Sequence, residues 1–390
     1  MLVRVPVAAR SFRFPMLMGA ALVLTLTACG APSANTPTSS GPSSSPTASG
    51  AAQTTADLSS LIAAAKQEGK VAVVTNPGEP FRRTFDAFQQ KYGISVELLT
   101  GNGGGDLVPQ LTAERKAGQY LWDVMPHSSQ PILALKQMMA PLQPAMLLPE
   151  VLDDSKWLGG FGDGWEDHDK TLAFAYSREA TWNSQVNRSV VPESQLSSID
   201  QLWDPQWKGK IAMQDPRELS SGAGTMAAWL ALRGEDRVRA FLRDQQPVVT
   251  RDRRQLGEWV VRGQYPIGLA VSMPVLLEFQ AQGLDISSIK PLDTENPLAA
   301  YLSVGGGVLG MFDHTPHPNA AKLFVNWLLS AEGQTVFSRE TGYNSRRSDV
   351  PVVDQKTAIG PNTKYTIDNG REDFLATVQK VVDVSRELIK

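Results

Sequence analysis

The stretch KVAVVTNPGEPFRRTFDAFQQKYGISVELL, from Lys70 to Leu99, decides the fold class of this chain. It begins with an unbroken apolar run at 71–74, which is typical of a strand buried on both faces. Pro80 then opens a segment whose aromatic residues recur at helical spacing, and 94–99 is again apolar. Strand, helix and strand in this order predict a largely parallel α/β sheet.

The same alternation continues through the rest of the chain. A first helix is expected to start at the capping residue Asp57 and to stop at Gly69. Further strands are predicted at 121–124, 172–176, 210–214 and 267–271, an extended stretch at 301–311, and helices at 221–232, 275–282 and 374–389. The roughly 335 residues involved are too many for one typical core, so two lobes are expected.

The N-terminal residues predict export and lipidation. Three arginines precede an apolar core at 16–28, which is too short to span a bilayer permanently. Cys29 is the only cysteine in 390 residues, and the run from Leu26 to Cys29 resembles the lipobox of bacterial lipoproteins. That resemblance implies removal of 1–28 and attachment of acyl chains such as palmitate to Cys29. An ordinary secretory signal with an incidental cysteine is the alternative.

The segment that follows is predicted to be a flexible tether rather than a folded domain. Residues 29–56 consist mainly of Gly, Ala, Pro, Ser and Thr, which leave little apolar surface to offset the entropy of ordering. We therefore expect a disordered tether that holds a folded body close to the extracytoplasmic face of a cell membrane, whether periplasmic or extracellular.

The net charge of the chain limits the classes of binding partner that are expected. The chain has 37 basic and 40 acidic residues, and removing the three arginines of the signal leaves 34 basic ones, a net charge of −6. An acidic surface of this kind argues against nucleic acid and against a polybasic membrane patch. A membrane contact is expected through the lipid anchor only.

Several short motifs carry a family resemblance over nearly all of the chain after the tether. They are AKQEGKV at 65–71, FQQKYGISV at 88–96, Asp123-Val124, DPQWKGKI at 204–211, Asp215-Pro216-Arg217 and AKLFVNWLLSAEGQ at 321–334. In this order and spacing the sequence resembles the extracellular solute-binding proteins of ABC importers, in the iron(III)-binding-protein-like group.

The resemblance implies a two-lobed α/β periplasmic-binding-protein fold with a hinge and an interlobe cleft. It also implies a monomeric, non-enzymatic receptor without a cofactor, which captures a small molecule and docks on an ABC permease and its ATPase. The expected segments are 57–164 and 296–345 for lobe one, 165–295 for lobe two, and 346–390 for a C-terminal segment with a packing helix.

Candidate ligand-binding residues lie where loops follow strands, because open α/β sheets bind ligands beyond the carboxyl ends of their strands. In lobe one the candidates are Asn76, Arg82, Asn102, Gly103, Ser128 and Ser129.

In lobe two the expected helix start at 220–222 can present hydroxyl and free N–H groups to one anion, and Arg217 can add a bidentate contact. The candidates there are Arg217, Ser220, Ser221, Gly222 and Ser272, with Tyr301 at the return to lobe one. These donors favour a small organic or inorganic oxyanion as the ligand.

Ferric iron is the alternative ligand. In the resembled group, iron binders carry adjacent tyrosines after the lobe-two strand that corresponds to 267–271, and here that place reads Ser272-Met273-Pro274. Met sulfur is soft and proline offers no side-chain donor, so the main Fe(III) ligands are missing. No metal site is therefore predicted, and Tyr301 and Tyr343 are interpreted as packing or hinge residues.

Two other classes stay open, a lipoprotein hydrolase and a ligand sensor that presents its closed form to a receptor. The charged run from Arg251 to Arg254 is interpreted as a solvated surface.

Overall fold

The computed structural model describes residues 47–103, 105–292, 300–360, 365 and 367–390. The predicted signal peptide, the acylated Cys29 and the tether as far as residue 46 lie outside the described residues. From Thr47 onwards the chain forms one compact unit. Its first helix begins at Thr47, not at the predicted Asp57. Alanine, the best helix former, recurs through 47–56, and its propensity extends the helix into the segment predicted as tether.

Thirteen strands and twelve α-helices make up the described part of the chain. The strands are β1 (Lys70–Thr75), β2 (Ser95–Thr100), β3 (Val124–His127), β4 (Met139–Ala140), β5 (Phe174–Ala175), β6 (Glu179–Thr181), β7 (Ser184–Asn187), β8 (Ile211–Gln214), β9 (Val248–Thr250), β10 (Ile267–Leu269), β11 (Ile289–Pro291), β12 (Tyr301–Ser303) and β13 (Val308–Phe312). The helices are α1 (Thr47–Glu68), α2 (Glu79–Tyr92), α3 (Leu107–Lys116), α4 (Ser129–Ala134), α5 (Pro149–Leu152), α6 (Ser221–Arg233), α7 (Glu235–Gln245), α8 (Arg253–Val261), α9 (Met273–Ala281), α10 (Pro318–Leu329), α11 (Ala331–Thr341) and α12 (Glu372–Leu388).

Lobe one is built on a six-stranded sheet in the order β2-β1-β3-β13-β4, with β5 also paired to β13. β1 runs parallel to both β2 and β3, whereas β13 is antiparallel to β3. The strand–helix–strand prediction for 70–99 is confirmed. Pro80 lies in the first turn of α2, and Gly93 ends that helix in the left-handed conformation with φ of 70°.

Lobe two is built on a five-stranded sheet in the order β11-β7-β10-β8-β9. β10 is parallel to β8 and antiparallel to β7. Its core joins strand residues to α6 and α7 and also takes in Val378 and Val382 of α12. The C-terminal helix therefore packs on lobe two, although the chain has by then returned to lobe one.

The two lobes are connected by a two-stranded antiparallel ribbon, β6 with β12, which we call the hinge ribbon. Tyr301 pairs with Thr181, and Ser303 pairs with Glu179. The segment boundaries predicted at 164/165 and 295/296 stay predictions, and the second falls among residues that are not described.

The extended stretch predicted at 301–311 is two strands, not one. β12 belongs to the hinge ribbon and β13 to the sheet of lobe one, and Gly305 turns the chain between them with φ of 53°. A side chain is disfavoured at that φ, so the glycine run marks a turn that the apolar pattern does not reveal.

Among the described helices, none has the length and apolarity needed to cross a bilayer.

Candidate functional site

A cavity of about 100 Å³ lies between the lobes and reaches the hinge ribbon. A volume of this order holds several water molecules, so it suits a small solute. Lobe one contributes Asn76 and Ser128, lobe two contributes Ser221 and Ser272, and the hinge ribbon contributes Glu179.

Four of the twelve predicted ligand-binding residues line this cavity, and each directly follows a strand or begins a helix. Asn76 follows β1, Ser128 follows β3, Ser221 is the first residue of α6, and Ser272 precedes α9. Loops at the ends of several strands thus converge on one place, as expected for an α/β sheet. Their contact with a ligand stays a prediction.

Ser220 and Gly222 support α6 and do not line the cavity. The Ser220 hydroxyl donates to the carbonyl of Asp215 at 2.6 Å and accepts from the backbone N–H of Ala223 at 3.2 Å, which is the geometry of an N-cap. A Cβ at Gly222 would lie 1.9 Å from the carbonyl oxygen of Gln214. Of the three adjacent candidates, only Ser221 lines the cavity.

Arg217 is placed away from the cavity, in a separate surface depression beside Arg386. Its Nε and Nη2 both donate to the carboxylate of Asp215, at 2.9 and 2.8 Å. This bidentate pair saturates the guanidinium face that was predicted to hold the anion. The partner lies only two residues away, and the sequence gives no sign that the arginine turns back to it.

The other candidates also lie outside the cavity. The Asn102 amide donates to the carbonyl of Arg251 at 3.1 Å, a direct contact between the lobes, and Gly103 is buried against His127. Arg82 is exposed, and Ser129 is buried at the start of α4. Tyr301 is buried on the hinge ribbon, with its hydroxyl 3.3 Å from that of Thr225.

Arg253 is the exception in the run 251–254, whose other three residues are exposed as predicted. Asp252 caps α8 by accepting from the backbone N–H groups of Arg254 and Gln255, so Arg253 becomes the first helical residue and turns toward lobe one. Its Nη1 donates to the Oδ1 of Asn76 at 3.1 Å. Burial lowers the pKa of the Arg253 guanidinium from its usual value.

Two hydrogen-bond donors beside this contact lack partners among the described residues. They are the Nε of Arg253 and the Nδ2 of Asn76, both shielded from solvent. Asn76 is only 1 % exposed. Buried donors without acceptors are costly, so this pair indicates a place for an acceptor atom that comes from outside the chain.

His127 supports the first-lobe side of the cavity as a neutral side chain. The backbone N–H of Ser128 donates to its Nδ1 at 2.8 Å, which places the ring proton on Nε2, 3.2 Å from the carbonyl of Gly101. Burial, and secondarily the charge of Arg253, lowers the pKa of His127 to about 3. The imidazole therefore adds no charge that competes with Arg253.

The hinge side of the cavity carries acidic groups that the sequence analysis missed. Glu179 is 8 % exposed, and burial raises its pKa to about 8, with a further contribution from the charge of Asp354. Tyr343 also lines the cavity, and burial raises its pKa to about 12. No motif singles out these residues, because only the folding of the ribbon and of 343–357 brings them together.

Phenol groups, the donors that the resembled iron binders use, are few in this cavity. Tyr343 is the single phenol among its described lining residues, and Tyr301 is held on the hinge ribbon. Within the described ranges, no group of three His, Cys, Asp or Glu side chains is arranged to hold a metal ion. The adjacent phenols expected of such an iron site are therefore not seen among the described lining residues.

Comparison with known families supplies the classification. The family described as "Bacterial extracellular solute-binding protein" matches residues 70–344, which include both sheets and the hinge ribbon. The chain belongs to this family.

Solved structures similar to this solute-binding protein share its two-lobed fold. Iron-bound HitA from Pseudomonas aeruginosa is 18 % identical, with a TM-score of 0.62 over 82 % of this chain and 99 % of that one. AfuA from Actinobacillus pleuropneumoniae, with fructose-6-phosphate bound, is 17 % identical, with a TM-score of 0.62 over 82 % and 98 %. These likenesses establish the periplasmic-binding-protein fold.

An uncharacterized protein from Haemophilus influenzae is 24 % identical to this solute-binding protein over 202 residues. The match covers 50 % of this chain and 56 % of the relative, so it spans little more than half the length of the curated protein it matches.

Proposed function

We propose that this protein captures a small solute bearing an oxyanion in its interlobe cleft and delivers it to the permease of an ABC importer. The observation that carries the proposal is the pair of unpartnered donors, Arg253 Nε and Asn76 Nδ2, one from each lobe. A single anionic oxygen, or two oxygens of one carboxylate, sulfonate or phosphonate, would satisfy both.

The position of the pair supports a role in closure. The lobes already touch there through the 3.1 Å hydrogen bond between Arg253 and Asn76. An anion bound at this place would connect both lobes and favour the closed state by its differential affinity for it. Charge-assisted hydrogen bonds of this kind contribute about 1.5–3 kcal/mol each.

Ser128, Ser221 and Ser272 add hydroxyl groups to the polar lining of the cavity. Ser221 begins α6, whose N-terminus presents free backbone N–H groups and a positive dipole end. This arrangement supports oxyanion binding without Arg217.

Ferric iron is less well supported as the solute. HitA carries iron in its solved structure, but its identity of 18 % to this chain transfers the fold and not the ligand. Tyr343 alone offers a phenol in the described lining, so a ferric ion would depend on carboxylates and on oxygens of a bound chelator.

Calorimetric titration with small oxyanions tests the proposal. Arg253→Gln should weaken the binding of an anion that the native protein binds by about tenfold or more, as expected for loss of a charge-assisted hydrogen bond. Arg251→Gln is the matched control, because it removes the same charge two residues before Arg253, where the side chain is 67 % exposed and does not line the cavity. Equal affinity in Arg253→Gln and the native protein would contradict the proposal.

We further propose a non-enzymatic monomer held at the membrane by lipid on Cys29. Support comes from the lipobox-like run before Cys29 and from the family's extracellular role. Mass spectrometry of the N-terminal peptide should find an acylated cysteine, and Cys29→Ala should release the protein from the membrane fraction. An unmodified N-terminus on a membrane-free native protein would refute the anchor.

A further inference from the structure

The cavity carries opposite charges on different structural elements. Arg253 is the one basic residue among its described lining residues, and it projects from the start of α8. Glu179 and Asp354 are the acidic ones, and they lie at the hinge ribbon and in the chain that follows α11. A ligand in this cavity therefore meets a cation on one side and carboxyl groups on the other.

Glu179 has no basic partner inside the cavity. It accepts hydrogen bonds from the backbone N–H of Asn344 and from the hydroxyl of Thr357, and it feels the negative charge of Asp354. The neighbouring Arg178 is directed elsewhere: its guanidinium pairs with Glu166 and, at 2.6 Å, with Asp163. No basic side chain of the described lining is paired with Glu179 or Asp354, and the charge of Asp354 disfavours the ionisation of Glu179.

Tyr343 lines the same cavity as the two charged ends, and its phenol is influenced by the charges of both Glu179 and Arg253. Because one cavity of about 100 Å³ is lined by both Arg253 and Glu179, the two ends face the same small volume. A ligand of a few heavy atoms can therefore contact both ends at once.

We infer that the solute is a zwitterion, with its oxyanion at Arg253 and Asn76 and its ammonium group at Glu179 and Asp354. The inference rests on the proposed function and extends it, because oxyanion binding needs only the first end. The unpartnered, buried Asn76 Nδ2 indicates the anionic end, and two lining carboxyls without a basic partner indicate the cationic end.

Binding of an ammonium group should change the protonation state of Glu179. With a pKa of about 8, the ligand-free Glu179 is mostly protonated at pH 7. A cation placed beside it favours the carboxylate, so its pKa falls and its proton leaves. Binding a zwitterion at pH 7 should therefore release close to one proton, and its affinity should rise with pH up to about 8. The groups that face Glu179 in this balance are Asp354 and Tyr343.

The test compares ligands that differ only by an amino group. Taurine and ethanesulfonate, β-alanine and propionate, and 2-aminoethylphosphonate and ethylphosphonate are titrated calorimetrically into the native protein. Each titration is repeated in two buffers with different ionisation enthalpies, which reports proton release. For at least one pair, the aminated member should bind tenfold or more tightly and release a proton.

Variants assign this preference to the hinge end. Glu179→Gln should reduce the affinity ratio within the pair to near unity and remove the dependence on buffer. Asp354→Asn, at a less buried position, should also lower the affinity ratio. It takes the place of Glu179→Gln in the test if that variant does not fold. Glu332→Gln, which removes an exposed carboxylate outside the cavity, should leave the ratio as it is.

The outcomes separate the two proposals. If plain anions bind through Arg253 and amination adds nothing, the zwitterion inference is wrong and the proposed function stands. If aminated ligands bind tightly and Glu179→Gln keeps the full preference, the assignment to Glu179 is wrong. If no member of any pair binds, both proposals fail for these anion classes.

Discussion

Arg253 of lobe two donates a hydrogen bond from Nη1 to the Oδ1 of Asn76 in lobe one, across 3.1 Å. Each residue also has a buried donor group, Nε of Arg253 and Nδ2 of Asn76, that has no acceptor among the described residues. A ligand with acceptor oxygens placed here would satisfy both donors. This relationship connects closure of the lobes to the chemistry of the ligand.

The charge at position 76 should decide whether the cleft closes with or without ligand. Asn76→Asp creates a carboxylate opposite Arg253, so an internal ion pair replaces the anion. We expect the affinity for an oxyanion to fall more than about tenfold, and small-angle scattering to show a ligand-free protein already close to its bound size.

Asn102→Asp is the matched control, because it adds the same charge at another lobe-to-lobe contact outside the cavity. It should change affinity much less. An Asn76→Asp protein that binds and closes like the native one would show that this contact is not the switch.

Gly306 should be required for the position of Asn76. A Cβ at 306 would lie 2.7 Å from Asn76 Nδ2 and 3.0 Å from the ring of Phe81, so the amide must move. Gly306→Ala should lower ligand affinity about fivefold to tenfold, a cost of ~1–1.4 kcal/mol.

Gly162→Ala provides the comparison, since a Cβ there meets nothing within 4 Å. Titration calorimetry on both variants measures the difference. Equal affinities would mean that Asn76 does not contact the ligand through Nδ2.

Alanine substitutions at Ser220 and Ser221 should affect different properties, the first the stability of the fold and the second the binding of ligand. Ser220→Ala removes the N-cap of α6 and should lower the free energy of unfolding by about 1 kcal/mol. Ser221→Ala should weaken ligand binding and leave the denaturation midpoint nearly unchanged. Denaturant unfolding and calorimetry of both variants test the division, and a reversed pattern would reassign the two roles.

Glu179 should make the stability of the ligand-free protein fall as the pH rises from about 4.5 to about 8. Its folded pKa of about 8 lies above the ordinary value of 4.5, so the folded state holds a proton that the unfolded state has lost. The contribution of protonated Glu179 to the free energy of unfolding is complete below pH 4.5 and is lost as the pH rises through 8. Glu179→Gln should therefore show a flatter stability curve between pH 6 and 9.

Glu166, whose pKa burial raises to about 7, titrates in both proteins, so the difference between their curves isolates Glu179. Thermal unfolding across this pH range is the measurement. Parallel curves for the two proteins would show that Glu179 does not titrate there.

The sequence located those cavity-lining residues whose positions depend on local patterns, and their contact with a ligand stays a prediction. Asn76 and Ser221 were found because strand ends and helix starts can be located from periodicity, and their loops must meet at one edge of the sheets. Ser220 and Ser221 could not be separated, since capping geometry decides which hydroxyl faces inward.

The charged residues could not be predicted, for a physical reason. Arg217 lies in a motif that resembles the family, but its guanidinium is paired with Asp215. Arg253 lies in a charged run, a pattern that is typical of an exposed surface. Glu179 enters the cavity only because β6 pairs with β12 across more than a hundred residues. Long-range pairing of this kind leaves no local trace in composition or spacing.

The central claim is that one anionic group of the solute bridges the two lobes, and a crystal structure of the protein with a bound ligand tests it most directly. We predict an oxyanion oxygen within about 2.7–3.2 Å of Arg253 Nε and of Asn76 Nδ2, with both donors satisfied. A ligand that leaves these donors unpaired, or a ferric ion coordinated by Tyr343, would contradict the account.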